Sequence, residues 1–252
     1  MQESSTRPQL SQPLLPEAVD PDAELWSDFS HEIRTPLNSI IGFAELLHDG
    51  KVGVLTAAQR ECIGDILASS QHLQSLLDDL LVLARIDSGW LQPRVEPIDL
   101  VTFIDEVCTD FRARRDDFPL QLRGDVAGDL RTIRGDRGLL AKLLRHLLGQ
   151  AAALNRSGSA LIVRTRATGD IALQIDVVGD RITAEAAQQR WAEIAIPMPT
   201  HERRRRSGLL GLVLAARIGT ALGGLVAPRE AQEGDGGFRL TLPLPLPCDK
   251  PR

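Results

Sequence analysis

The sequence predicts an α+β protein in two parts, a long helical hairpin followed by a layered domain of mixed sheet and helices. Three observations predict it. Apolar residues recur at intervals of three and four over two long stretches before Gly89, the signature of amphipathic helices. Beyond Gly89 helical and strand patterns alternate without a regular βαβ order, which indicates a mixed sheet with helices on one face. Between the two regimes lies Trp90–Pro97, a stretch with two prolines.

The elements follow in order. Residues 1–21 are rich in Pro, Ser, Gln and acid and read as a flexible lead-in. In the first helix Leu25, Phe29, Ile33, Leu37, Ile40, Ala44 and Leu47 share one face. Asp49-Gly50-Lys51-Val52-Gly53 breaks it, and Thr56 is placed to cap a second helix that ends at Asp87-Ser88-Gly89. The expected division is a hairpin over 22–89, a linker over 90–97, a second domain over 98–247 and a tail over 248–252. In that second domain, helices are expected at 100–114, 137–154 and 208–222. Strands are expected near 120–123, 132–134, 160–166, 171–178, 224–227 and 238–244. Two helices alone leave apolar stripes uncovered, so a dimer forming a four-helix bundle is expected, with a monomeric hairpin folded on the rest of the chain as the alternative.

Composition narrows the function. The chain has 252 residues, 43% apolar and 25% charged, which excludes global disorder. A net charge of -5, 4% aromatic residues and no Tyr argue against a nucleic-acid partner. Cys62, Cys108 and Cys248 have no short spacing, so neither a zinc site nor a disulfide framework is expected, and no metal ligand set stands out. No stretch of ~18 uncharged apolar residues occurs, so the expectation is a cytoplasmic protein without a membrane partner.

The most informative segment is Phe29-Ser30-His31-Glu32-Ile33-Arg34-Thr35-Pro36-Leu37-Asn38. On a helix, His31 lies about 160° from Phe29 and Ile33, so it faces solvent when they face inward. Glu32 is adjacent, and a carboxylate there can hold the proton of one ring nitrogen while the other stays nucleophilic. Thr35 follows at i+4, and Pro36 removes a backbone donor and bends the helix. An exposed nucleophilic imidazole with a neighbouring acid suits reversible phosphoryl transfer.

His31-Glu32-Ile33-Arg34-Thr35-Pro36-Leu37, continued by Asn38-Ser39-Ile40-Ile41-Gly42-Phe43-Ala44-Glu45-Leu46-Leu47, resembles the H-box of two-component sensor histidine kinases. Leu80-Leu81-Val82-Leu83-Ala84-Arg85-Ile86-Asp87-Ser88-Gly89 is similar to the end of that family's second dimerisation helix. The resemblance implies a dimeric phosphotransfer bundle in which His31 accepts a phosphoryl group, Glu32 assists and Thr35 helps position water for dephosphorylation. It also implies that the second domain is an α/β sandwich of the histidine kinase ATPase type.

The nucleotide motifs of that family are altered here. In Leu143–Ala152, His146 stands where the first asparagine of the asparagine box is expected and Gln150 where the magnesium-binding asparagine is expected. Gly179 keeps the first glycine of the Asp-x-Gly-x-Gly box, but Val177 takes the place of the adenine-binding Asp and Arg181 that of the second glycine. Asp176 is a strand neighbour and should face the other side of the sheet. Ser207-Gly208-Leu209-Leu210-Gly211-Leu212 occupies the place of the glycine-rich Gly-x-Gly-Leu-Gly-Leu phosphate box, with two of its three glycines replaced. Gln150, Gly179, Gly208 and Gly211 are the candidate nucleotide contacts of a sandwich expected to fold without binding ATP well, so binding of ATP and Mg is expected to be weak at most. The run His201-Glu202-Arg203-Arg204-Arg205-Arg206 falls where the lid over ATP would be.

Three functions follow. The favoured one is a phosphotransferase in which His31 exchanges a phosphoryl group with a response regulator receiver domain. The others are a divergent ATP-dependent autokinase, and a pseudokinase that binds a partner histidine kinase or a regulator.

Overall fold

Residues 21–113, 121–126, 132–155, 159–168, 172–195, 209–229 and 236–244 are described by the computed structural model. The chain divides into two compact units, Met1–Leu81 and Val82–Arg252. The first contains α1 (Pro21–His48) and most of α2 (Ala57–Asp87). At ~1.5 Å per residue these are rods of ~42 and ~46 Å.

Their ends are set by local chemistry. Gly50, at φ 70, turns the chain out of α1 while Lys51 N–H donates to the Leu46 carbonyl at 3.0 Å. Thr56 and Gln59 form a reciprocal cap at the start of α2. The Thr56 N–H donates to Gln59 Oε1 at 2.9 Å, and the Gln59 N–H donates to Thr56 Oγ1 at 3.3 Å. Leu37 and Ala44 of α1 and Leu77 and Leu81 of α2 are buried. Ile40, Phe43, Ile66, Leu73 and Leu80 of the same helices are exposed, Phe43 by 68%.

The second unit holds β1 (Glu96–Asp99), α3 (Leu100–Ala113), β2 (Gln121–Val126), β3 (Thr132–Gly135), α4 (Arg137–Leu154), β4 (Ala160–Thr168) and β5 (Ala172–Gly179). These are followed by α5 (Ala184–Ala195), α6 (Leu209–Ala221), β6 (Leu225–Pro228) and β7 (Gly237–Pro243). β1 and β3 form a short antiparallel pair. The other strands form one sheet in the order β2-β4-β5-β7-β6, with β2 and β4 parallel and the remaining pairs antiparallel. This is the expected mixed sheet.

The core side of the sheet is read from alternation. Leu161 and Val163 on β4, Leu173, Ile175 and Val177 on β5, and Phe238, Leu240 and Leu242 on β7 are all buried. Against them lies α4, whose Leu140, Leu143, Leu144, Leu147 and Leu148 are fully buried. Asp136 caps α4, its carboxylate accepting from Leu139 N–H at 2.9 Å and from Arg94 N–H at 2.7 Å. Gly237 brings β7 so close to the Val177 carbonyl that a Cβ there would overlap it.

Two elements differ from the sequence-based expectation. Strand β1 begins at Glu96, inside the stretch taken as linker, because a short outer pair with β3 tolerates Pro97. Helix α5 lies where no element was expected. It starts from Thr183, whose Oγ1 accepts from Ala186 N–H at 3.1 Å, and it buries Ala187. The compact units also divide inside α2, ahead of the expected break at Gly89, because Val82, Leu83 and Ile86 pack on the second core.

Cys108 is 1% exposed and burial pushes its thiol up to about 11, whereas Cys62 is exposed. In a Cys248→Ser background at neutral pH, a soluble thiol reagent should label Cys62 within minutes and Cys108 only after denaturant is added. Equal labelling of both thiols in native protein would contradict this core.

Candidate functional site

His31 is carried on the exposed side of α1, away from buried Leu37 and Ala44. Glu32 and Thr35 are exposed beside it. Pro36 lies inside the helix and supplies no N–H to the carbonyl four residues back. Side-chain hydroxyls add hydrogen bonds around this point. Thr35 Oγ1 donates to the His31 carbonyl at 2.9 Å, and Ser39 Oγ donates to the Thr35 carbonyl at 3.1 Å. The Thr35 hydroxyl is thus held against the backbone of His31, with its lone pairs still able to accept.

Two polar links tie this part of α1 to α2. Arg34 donates to Asp78 at 2.8 Å, and Gln74 Nε2 donates to Asn38 Oδ1 at 3.1 Å. Arg34 and Asn38 are one turn apart and lie on either side of Pro36; Gln74 and Asp78 are one turn apart on α2. The helix is therefore tied to α2 on both sides of Pro36. With both side chains of the ion pair more than a third exposed, its worth is about 0.2–1 kcal/mol. Its effect is to fix register rather than to stabilise.

In the second unit, α4, α5 and α6 converge on Gln150. The Gln150 residue is 6% exposed, and its Oε1 accepts from Arg190 Nε at 3.0 Å. The same guanidinium donates through Nη1 to Glu193 at 3.0 Å. Gly211 of α6 faces this point: a Cβ there would stand 2.8 Å from His146 Nδ1 and 3.6 Å from Gln150 Nε2. The structure thus brings together Gln150 and Gly211 of the predicted nucleotide contacts. Gly179 is packed elsewhere, under Ile182 and Leu161, where a Cβ would meet them at 2.8 and 3.0 Å. Gly208 and the four-arginine run lie outside the described residues.

Val177 is fully buried in the core, and its neighbour Asp176 points to the opposite face. There Arg239 grips Asp176 with two hydrogen bonds, at 2.6 and 2.8 Å, and Arg229 approaches at 3.2 Å. Asp176 is therefore engaged on the far side of the sheet. His48 and His72 are exposed. Among the described residues no group of three or more His, Cys, Asp or Glu is placed to hold a metal ion.

Comparison with known proteins agrees with the geometry around His31. Residues 22–89 match the His Kinase A (phospho-acceptor) domain. That segment thus carries the phospho-acceptor domain type of histidine kinases, and the longer matches of the chain are also to histidine kinases. The chain is 30% identical over 169 residues to the cell-division control histidine kinase PdhS of Brucella anthropi, covering 66% of this chain and 16% of that protein. The Brucella suis PdhS is 29% identical over 175 residues, covering 68% and 17%. The chain thus spans about a sixth of the length of these curated relatives. Among solved structures, full-length ShkA in complex with AMPPNP superposes with a TM-score of 0.68 and 25% identity, over 89% of this chain and 46% of that one. The Acinetobacter baumannii histidine kinase AdeS gives 0.55 at 19% identity, over 85% and 98%, a likeness of fold.

Arg190 and Glu193 are the site residues that sequence reasoning missed. Their signal was faint: an i,i+3 charge pair on a segment whose Thr183 cap and Ala187, Trp191, Ile194 spacing mark a helix.

The packing of His146 on Gly211 can be tested by coupling. Gly211→Ala should destabilise the protein by about 1–3 kcal/mol in urea unfolding, and His146→Ala in the same chain should recover most of it. Additive losses would show that the ring does not fill this space.

Proposed function

We propose that the protein is a phosphotransfer component of a two-component or phosphorelay pathway, with His31 exchanging a phosphoryl group with the receiver aspartate of a response regulator. The observation that carries this reading is His31 itself. It is an exposed imidazole on α1, beside a braced Pro36, within the segment matching the phospho-acceptor domain.

The chemistry is an in-line displacement. An imidazole nitrogen attacks phosphorus, a P–N bond forms as the P–O bond to the aspartate breaks, and the carboxylate leaves; the reverse step returns the group. The metal that offsets phosphoryl charge belongs to the receiver's acidic pocket. Glu32 favours the reactive tautomer by accepting the proton of the other ring nitrogen. Thr35 orients water for hydrolysis of the regulator's phosphoryl group, through lone pairs left available by its bond to the His31 carbonyl. Exposed Ile40, Phe43, Ile66, Leu73 and Leu80 favour a homodimer, in which a second hairpin covers them. No helix among the described residues is long and apolar enough to cross a membrane, in keeping with cytoplasmic action beside a receiver domain.

The donor in this reading is another protein, because the family's magnesium nucleotide fits the second unit poorly. The Gln150 amide oxygen accepts from a guanidinium, and Val177 has no acceptor for adenine. A buried adenine donor left unpaired costs ~1–3 kcal/mol. A second reading, ATP-dependent autophosphorylation, is favoured by the likeness to ShkA, whose structure holds AMPPNP.

Incubation with a radiolabelled phosphorylated receiver domain tests the proposal. Acid-labile label should reach the protein, and His31→Gln should reduce it by more than about a hundredfold while the dimer mass stays the same. Label retained on the His31→Gln variant would refute the assignment. Thr35→Ala should slow regulator dephosphorylation at least about tenfold and leave transfer largely intact; the reverse pattern would refute its role.

A further inference from the structure

The contact at Gln150 has a specific charge logic. In the family the equivalent amide oxygen faces a divalent cation. Here the Gln150 Oε1 faces the Nε–H of Arg190 at 3.0 Å, in a residue only 6% exposed. Such a bond is charge-assisted and stronger than a neutral one. The guanidinium is held from the other side by Glu193, also at 3.0 Å, and both side chains of that pair are about four-fifths shielded from water.

We propose that Arg190 is a built-in replacement for the divalent cation, closing the Gln150 position to magnesium and joining α5 to α4 without nucleotide. This rests on the reading of the second unit given above. Three features support it. Magnesium binds oxygen at ~2.0–2.1 Å in near-ideal octahedral geometry. It could not reach Oε1 without meeting the positive charge already on that oxygen. Gln is one methylene longer than the family's Asn, which extends the amide toward α5. Finally, Glu193 lies one turn after Arg190, so its negative charge offsets the cost of shielding the guanidinium from water.

The test is thermal melting of the full chain in EDTA, in about 10 mM MgCl2 and in MgCl2 with ATP. Wild-type protein should melt at the same temperature in all three. Arg190→Ala should melt roughly 4–8 °C lower in EDTA, and MgCl2 should restore part of the loss, because a cation then has access to the Gln150 and Glu193 oxygens. Arg190→Lys, which keeps the charge without the fork, should fall in between and stay unresponsive to MgCl2. A magnesium-dependent rise in the wild-type midpoint would overturn the proposal, as would an alanine variant that melts like wild type or ignores MgCl2. If the alanine variant fails to fold, the wild-type and lysine curves decide: a magnesium-dependent rise in either overturns it, and flat curves with a lowered lysine midpoint support it. Transfer to His31 is measured separately, so either conclusion can fail while the other stands.

Discussion

The second unit depends on the burial of one helix. Five leucines of α4 are fully buried, and α4 touches β4, β5 and β7 as well as α3 and α6. At ~1.5–3 kcal/mol for each buried leucine, α4 makes a large apolar contribution to this core. The sheet is one-sided because α4 needs a flat apolar surface. Leu161, Val163, Leu173, Ile175, Phe238 and Leu240 supply it. Since α4 also carries His146 and Gln150, core packing fixes the backbone under both residues. Their chemistry can then change without loss of the fold.

The hairpin separates the same two tasks by helix face. Leu37 and Ala44 bury one side of α1, and His31 occupies another. Pro36 interrupts the backbone ladder between them, and the links from Arg34 and Asn38 to α2 hold the helix on either side of that point. Each link is weak alone. Together they hold the imidazole's helix in one geometry while leaving His31 exposed, as the proposed exchange with a receiver aspartate requires.

Much of this was legible in the residues. The segment around His31 combines type, order and spacing over many positions, and α4 announces itself by its leucines. The Thr56 cap was readable from one side chain and a following Gln59. Even the outward turn of Asp176 follows from strand alternation beside Val177. Strand β1 was not legible, since Pro93 and Pro97 look like linker until β3 is found to pair with it. Helix α5 was missed because it is short and mostly polar, its apolar face resting on Ala187, Trp191 and Ile194. The contact between Arg190 and Gln150 was beyond reach from sequence: it joins residues 40 positions apart and exists only once α4 and α5 are packed.

The proposed function divides the labour between an active histidine on the hairpin and a second domain that keeps its fold without using ATP. Calorimetric titration of ATP·Mg into the purified chain tests that claim most directly. No measurable heat of binding is expected up to millimolar ATP. Saturable binding with a micromolar dissociation constant would contradict it, and would mean that Gln150 and Val177 suffice for a working nucleotide site.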